Sequence, residues 1–197
     1  MKKTLTINLS GTVFNIDDDA YAKLKSYIEA LEHKFRQEPD VQELINDIEA
    51  RIAELFNERL GAKRQVVTLA DIDFIIGTLG SPDVISDDEG DNYARSEGKT
   101  YRRMYRDPDN RVIGGVCSGL AAYWNIDPVI LRVIFIILVF AGFSGVLIYI
   151  ILWIVMPEAH TTAQKLEMRG EQATVENIKN YVKEEFERVK KNIKDKL

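Results

Sequence analysis

Cysteine and histidine are nearly absent. Cys117 is the sole cysteine, so no intramolecular disulfide forms and the fold does not depend on an oxidising compartment. The two histidines, His33 and His160, stand far apart and offer no paired ligand set for a metal. His33 reads as part of a solvated helix face, and nothing supports a role for His160. The acidic clusters at 17–19 and 87–91 lack the ligand spacing of a calcium loop. Gly114-Gly115 and Gly119 are not followed by Lys-Ser/Thr and no strand leads in, which excludes a phosphate loop. No nucleophile–base pair stands at a suggestive spacing. The expectation is a non-enzyme with no cofactor and no metal. The start of the chain also lacks an apolar run. Lys2-Lys3 is followed by the alternating TLTINLS and then by Asp17, Asp18 and Asp19, so no cleavable signal peptide is expected.

The most telling absence is of charge. No charged residue occurs from Val133 to Met156 (VIFIILVFAGFSGVLIYIILWIVM), with Arg132 before it and Pro157 after it. Roughly 20 apolar residues suffice to cross a bilayer, so a transmembrane helix is expected here and the lipid bilayer is the first expected partner. The overall hydrophobic share is an ordinary 46%. The chain is therefore not a polytopic carrier, and its remainder suits one small domain plus tails.

Charge is unevenly divided. Residues 1–98 carry 11 Lys/Arg against 20 Asp/Glu, whereas residues 99–197 carry 15 against 11. The acidic front gives no reason to expect nucleic acid. The basic flank of the apolar run suits an anionic membrane surface.

Alternation over 3–9, the Ser10-Gly11 turn and Thr12–Ile16 predict a β-hairpin, which needs a helical cover. Asp17–Asp19 supply an N-cap for a first helix carrying Leu24, Ile28, Leu31 and Phe35. Pro39-Asp40 breaks it. A second helix from about Val41 to Leu60 turns Leu44, Ile45, Ile48, Ile52, Leu55 and Phe56 inward and ends at Gly61. Val66-Val67 leads to Thr68, an N-cap with Asp71 at N3, for a short helix stopped by Gly80-Ser81-Pro82. Leu24, Tyr27, Leu31, Asp47-Ile48-Glu49 and the closing LGSPDVI at 79–85 resemble the HAAS-type signalling domain, which sits beside membrane segments in bacteria. The leading hairpin departs from that pattern. Residues 86–100 (SDDEGDNYARSEGKT) are acidic and almost without apolar side chains, and read as a flexible linker.

Residues 105–157 carry Tyr105-Arg106, Arg111, Ile113-Gly114-Gly115-Val116-Cys117, Gly119-Leu120-Ala121, Tyr123, Ile126-Asp127-Pro128, Arg132, Tyr149, Trp153 and Pro157. In order and spacing this segment resembles the PspC family of bacterial envelope-stress (phage-shock) membrane proteins. Ser118 and Ala122 depart from residues frequent there. The resemblance implies a membrane sensor or regulator that binds other Psp-type membrane or peripheral proteins.

The residues support a physical reading of their own. Gly114-Gly115 gives a bend or a close approach. Val116, Leu120 and Tyr123-Trp124 form one side of a short amphipathic helix ending near Asn125, with Tyr and Trp at interfacial depth. Asp127 caps a new helix, Pro128 fits its first turn, and Arg132 snorkels to headgroups or pairs with Asp127. These residues either dock and orient the apolar helix or form a partner surface or a sensor of bilayer state. Cys117 reads as a small buried residue rather than a redox or acylated thiol.

Ala141-Gly142-Phe143-Ser144-Gly145 interrupts the apolar run. Two arms of about 14 residues would each reach only ~21 Å, short of a ~30 Å core, so a single tilted crossing fits better. The basic tail argues for a return and keeps a hairpin open. Arg102, Arg103, Arg106 and Arg111 put the N-terminal side in the cytoplasm. Residues 158–174 read as loosely ordered. From Val175 a helical stripe of Val175, Ile178, Val182, Phe186, Val189 and Ile193 returns behind the N-cap Thr174. Lysines crowd its other face, and Glu176, Glu184, Glu185 and Glu187 are interleaved. Such a helix suits self-association or a partner helix.

The expected fold is mainly α. It comprises a β-hairpin with three helices (1–85), a linker (86–100), an amphipathic helix with a transmembrane helix (101–158) and a tail with an amphipathic helix (159–197). The expected location is the inner (cytoplasmic) membrane, with the N-terminal domain in the cytoplasm. An oligomeric membrane-shaping scaffold without signalling is the alternative function.

Overall fold

Ser10 and Gly11 take φ values of 46° and 82°, the left-handed backbone that a tight two-residue hairpin needs. They join the first two strands in a computed structural model describing residues 3–38, 40–61, 64–82, 102–140 and 144–194. Along the chain run β1 (Thr4–Leu9), β2 (Thr12–Asp17), α1 (Asp18–Lys34), α2 (Val41–Leu60), β3 (Val66–Val67) and α3 (Leu69–Leu79). Then follow α4 (Val116–Trp124), α5 (Pro128–Phe140), α6 (Ser144–Val155), α7 (Thr162–Arg169) and α8 (Val175–Lys194). They form two compact units, residues 1–98 with 174–197, and residues 99–173. The linker expected at 86–100 lies outside the described residues.

In the first unit β1 and β2 pair antiparallel, with Leu9 opposite Thr12, and β3 adds in parallel beside β2. The sequence reading missed β3, because two residues carry no alternation. Helices α1 and α2 cover one face. All six apolar residues expected inward on α2 are buried, and α1 buries Ala20, Leu24, Tyr27 and Leu31. Phe14 and Phe56 meet edge to face at 5.2 Å. Asp17 flanks α1 without a side-chain capping bond, a departure from the expected cap.

Thr68 and Asp71 form the expected capping box of α3. Asp71 does more than cap, since it is fully buried. It accepts hydrogen bonds from Arg59 Nε (2.9 Å), Arg64 Nη2 (2.7 Å), and the Thr68 backbone (3.0 Å) and hydroxyl (2.8 Å). Burial alone would raise its pKa. The bonds from Arg59, Arg64 and Thr68 outweigh burial and hold it well below the usual carboxylate range. One acid thus pins the end of α2 and the following loop to the start of α3.

Residues 159–197, read from the sequence as one tail, divide between the units. Helix α8 packs on α2, with Val175, Ile178, Tyr181 and Val182 buried. Lys179 pairs with Glu38 at 3.1 Å and lies over the Phe35 ring at 5.3 Å. Thr174 caps the helix, its hydroxyl accepting from Asn177 N–H. Only the first half of the stripe is used, so Phe186, Val189 and Ile193 stay exposed.

In the second unit the apolar run is not one helix, which corrects the single-crossing reading. Helices α5 and α6 pack antiparallel. Gly145 lies against Leu138 and Val139, Phe135 meets Tyr149 edge to face at 5.3 Å, and Leu131 shares a cluster with Met156. A Cβ on Gly145 would stand 2.9 Å from the Val139 nitrogen, so a missing side chain lets the helices meet. The two helices reach about 20 and 18 Å. Among the described residues no helix is long and apolar enough to cross a membrane. Helix α7, in a stretch read as loosely ordered, was missed because its eight residues hold barely two turns. Thr161 caps it.

Asp71→Asn should cost about 2 kcal/mol, below the ~3–5 of a fully buried pair because Arg59 and Arg64 stay partly solvated. A depressed folded pKa stabilises above the unfolded value of ~3.9 and is lost as pH falls. The stability gap between wild type and variant, read by hydrogen exchange over 64–79, should therefore narrow below about pH 4.

Candidate functional site

Tyr105 to Gly115 forms no helix, yet it is held closely. The Arg106 N–H donates to the Pro157 carbonyl (2.8 Å), and the Ala159 N–H donates to the Arg106 carbonyl (3.0 Å). The Arg106 side chain completes the tie. Its Nε donates to the Met156 carbonyl (3.0 Å) and its Nη1 to the Gly114 carbonyl (3.2 Å), while Nη2 lies 3.4 Å from Glu158 Oε2. A rigid fork of donors suits this task better than an ammonium. Arg111 reaches the other Glu158 oxygen at 3.7 Å from an exposed position.

Asp107 is buried and closes the turn that follows. Its Oδ1 accepts from the Asp109 (2.9 Å) and Asn110 (3.4 Å) N–H groups, and its Oδ2 accepts from Asn110 Nδ2 (2.9 Å). Its own N–H donates to the Gly115 carbonyl (3.1 Å). Gly114 and Gly115 both take positive φ. A Cβ on Gly115 would stand 2.4 Å from the Asp107 carbonyl oxygen, and one on Gly119 would stand 2.0 Å from that of Tyr105. Two glycines thus let α4 lie with its backbone against residues 105–107.

Helix α4 departs from the amphipathic reading. Val116, Cys117, Ser118, Gly119, Leu120 and Ala121 are all buried. Small side chains on several sides let neighbours close in from every direction, so this helix is a core element. Its apolar partners are Leu131 and Met156. The Cys117 thiol has its pKa raised by burial, opposed in part by the Arg132 charge.

The structure brings Arg106, Arg111, Gly114, Gly115, Cys117 and Gly119 together around the base of the α5–α6 hairpin. Tyr123 and Trp124 lie apart at the end of α4, edge to face at 6.4 Å, with Trp124 half exposed. Asp127 Oδ1 accepts the Val129 N–H (2.7 Å), and Pro128 opens α5, as the sequence implies. Arg132 does not pair with Asp127. Its Nη2 donates to the Asn110 carbonyl (3.0 Å), because the 107–110 turn lies over the start of α5. The sequence reading overlooked Asp107, Asn110 and Glu158. The turn-forming run Asp107-Pro108-Asp109-Asn110 was a signal for the first two, and the lone acid after Pro157 for the third.

The outer surface of the hairpin is apolar. Val133, Ile137 and Phe140 on α5 and Leu147, Ile151 and Ile154 on α6 are all exposed. Exposed apolar side chains gathered on two packed helices mark an interaction surface.

The PspC domain family matches residues 102–159 of the chain. No curated protein and no solved structure matches it. The match begins four residues before Arg106 and ends just beyond Glu158, so it encloses the tied base, α4 and the hairpin.

Gly119→Ala should cost the second unit about 3 kcal/mol, because the clash is with backbone and cannot be relieved by a rotamer change. Gly77→Ala, in α3 with nothing within 4 Å of the new Cβ, should be neutral or stabilise by up to about 1 kcal/mol. Thermal unfolding of the full chain in detergent checks both.

Proposed function

We propose, from a PspC domain whose flanks are tied at the base of an apolar hairpin, that this chain is a membrane-associated stress-response protein of the phage-shock type. The observation that carries the reading is the Arg106–Pro157 tie beneath an exposed apolar surface. The tie sets both ends of the apolar run at one end of the hairpin. The hairpin would then insert from one face of the bilayer and return to that face. Arg102, Arg103, Arg106 and Arg111 favour the cytoplasmic face of the inner membrane. The docking of α8 on α2 requires residues 1–82 and 174–194 to share a side, which supports the same topology.

The chain would act without catalysis, as a regulator that binds other Psp-type membrane or peripheral proteins. The N-terminal likeness to HAAS-type signalling domains supports a regulatory output from the first unit. The exposed row Phe186, Val189 and Ile193 on α8 is the surface such a partner helix would cover. The same row favours a second reading, a self-associating scaffold, since Lys190 and Glu187 on its flanks can alternate in charge across a helix pair.

Topology is tested by labelling single cysteines at Asn8 and Lys190 in a Cys117→Ala background in intact membranes. Both should react from the cytoplasmic face, and labelling from opposite faces sinks the hairpin reading. Function is tested by photo-crosslinking from Val189 before and after the membrane potential is dissipated. A second protein captured in a stress-dependent manner supports the regulator. Self-adducts alone, unchanged by stress, support the scaffold.

A further inference from the structure

A cavity of about 360 Å³ opens along the hairpin between α5, α6 and the loop before α4. Its walls are apolar, formed by Ile113, Phe135, Ile136, Val139, Val146 and Ile150. Polar side chains gather only at the base end. There Ser118 donates to the Gly115 carbonyl, and the Tyr149 hydroxyl donates to the Ile113 carbonyl. Both hydroxyl protons are therefore used.

Arg132 is different. Among the described residues one of its five N–H donors is engaged, and that one meets a neutral carbonyl. Among the described residues no carboxylate lies within 4 Å of it, Asp127 included. A guanidinium at the rim of an apolar groove is costly unless an anion answers it. From Arg132 to Val139 the groove follows α5 for about 10 Å toward the far end of the hairpin. The site thus joins one cation at the base to an apolar channel along the hairpin.

We propose that this groove binds one acyl chain of an anionic glycerophospholipid, with its phosphate on Arg132. A diacylglycerol has no phosphate to answer the charge, the phosphate of a zwitterionic lipid already has an ammonium beside it, and a soluble anion would leave the channel empty. An α-helix, about 10 Å across with its side chains, is too wide for a cavity of this volume. The proposal rests on the membrane-bound reading and adds a headgroup preference to it.

The test is native mass spectrometry of the full chain in detergent. The probes are dioleoylphosphatidylglycerol, dioleoylphosphatidylcholine, diolein and the deacylated headgroup glycerophosphoglycerol. One phosphatidylglycerol per chain should be retained, at least tenfold more tightly than the other three. Arg132→Gln should weaken phosphatidylglycerol about tenfold and phosphatidylcholine far less, so that the preference between them closes. Arg132→Lys should keep the preference, which separates charge from folding. Ile136→Trp, on an exposed wall, should weaken both phospholipids equally. A preference that survives Arg132→Gln, headgroup binding as tight as that of the lipid, or a lipid-free dimer at every lipid concentration would each overturn the proposal. Lipid retention without headgroup preference defeats the groove alone, whereas failure of the expressed chain to sediment with the membrane fraction defeats the membrane reading beneath it.

Discussion

The PspC unit depends on a single guanidinium. Arg106 donates to the carbonyls of Met156 and Gly114 and faces Glu158. Each partner is a place where regular structure stops. Met156 follows the last turn of α6, and Gly114 precedes the first of α4. The C-terminus of α6 leaves orphan carbonyls, the Gly114 carbonyl belongs to the turn before α4, and both sit at the foot of an apolar hairpin. One planar side chain serves both and is balanced by one acid. The glycines at 115 and 119 make this possible, because they let the backbone of 105–107 approach α4 closely enough for the fork to reach.

From that tie the rest of the unit follows. With the base closed, α5 and α6 run antiparallel, and Gly145 lets them meet near the other end. With α4 buried beneath the base, the hairpin has a soluble-type core of Val116, Leu120, Leu131 and Met156 at its foot and bare apolar faces above. The unit is polar and hydrogen-bonded at one end and apolar at the other.

Much of this was legible in the sequence wherever a periodic or capping signal was long enough to count. The six apolar residues expected inward on α2, the Thr68–Asp71 box, the Thr174 cap and the Asp127-Pro128 start of α5 are local patterns, and local physics fixes them. The short elements were not legible, because two residues of β3 and eight of α7 fall below the reach of any period. The hairpin was misread for a different reason. Each arm is too short to span a hydrocarbon core, and that comparison assumes that each arm must cross. What closes the hairpin is a set of bonds to backbone carbonyls, which leave no trace in residue type. The amphipathic reading of α4 failed similarly, since small residues such as Gly119 and Ala121 signal close neighbours only once those neighbours are known.

Helix α8 has a consequence for biogenesis. Its docking surface on α2 belongs to a unit whose earlier residues leave the ribosome before the hairpin does, while α8 itself emerges after it. Until the hairpin has settled, the groove on α2 that takes Ile178 and Val182 stands open. Completion of the first unit therefore waits on a segment that follows the whole of the second unit in the chain, so the two units cannot fold strictly one after the other.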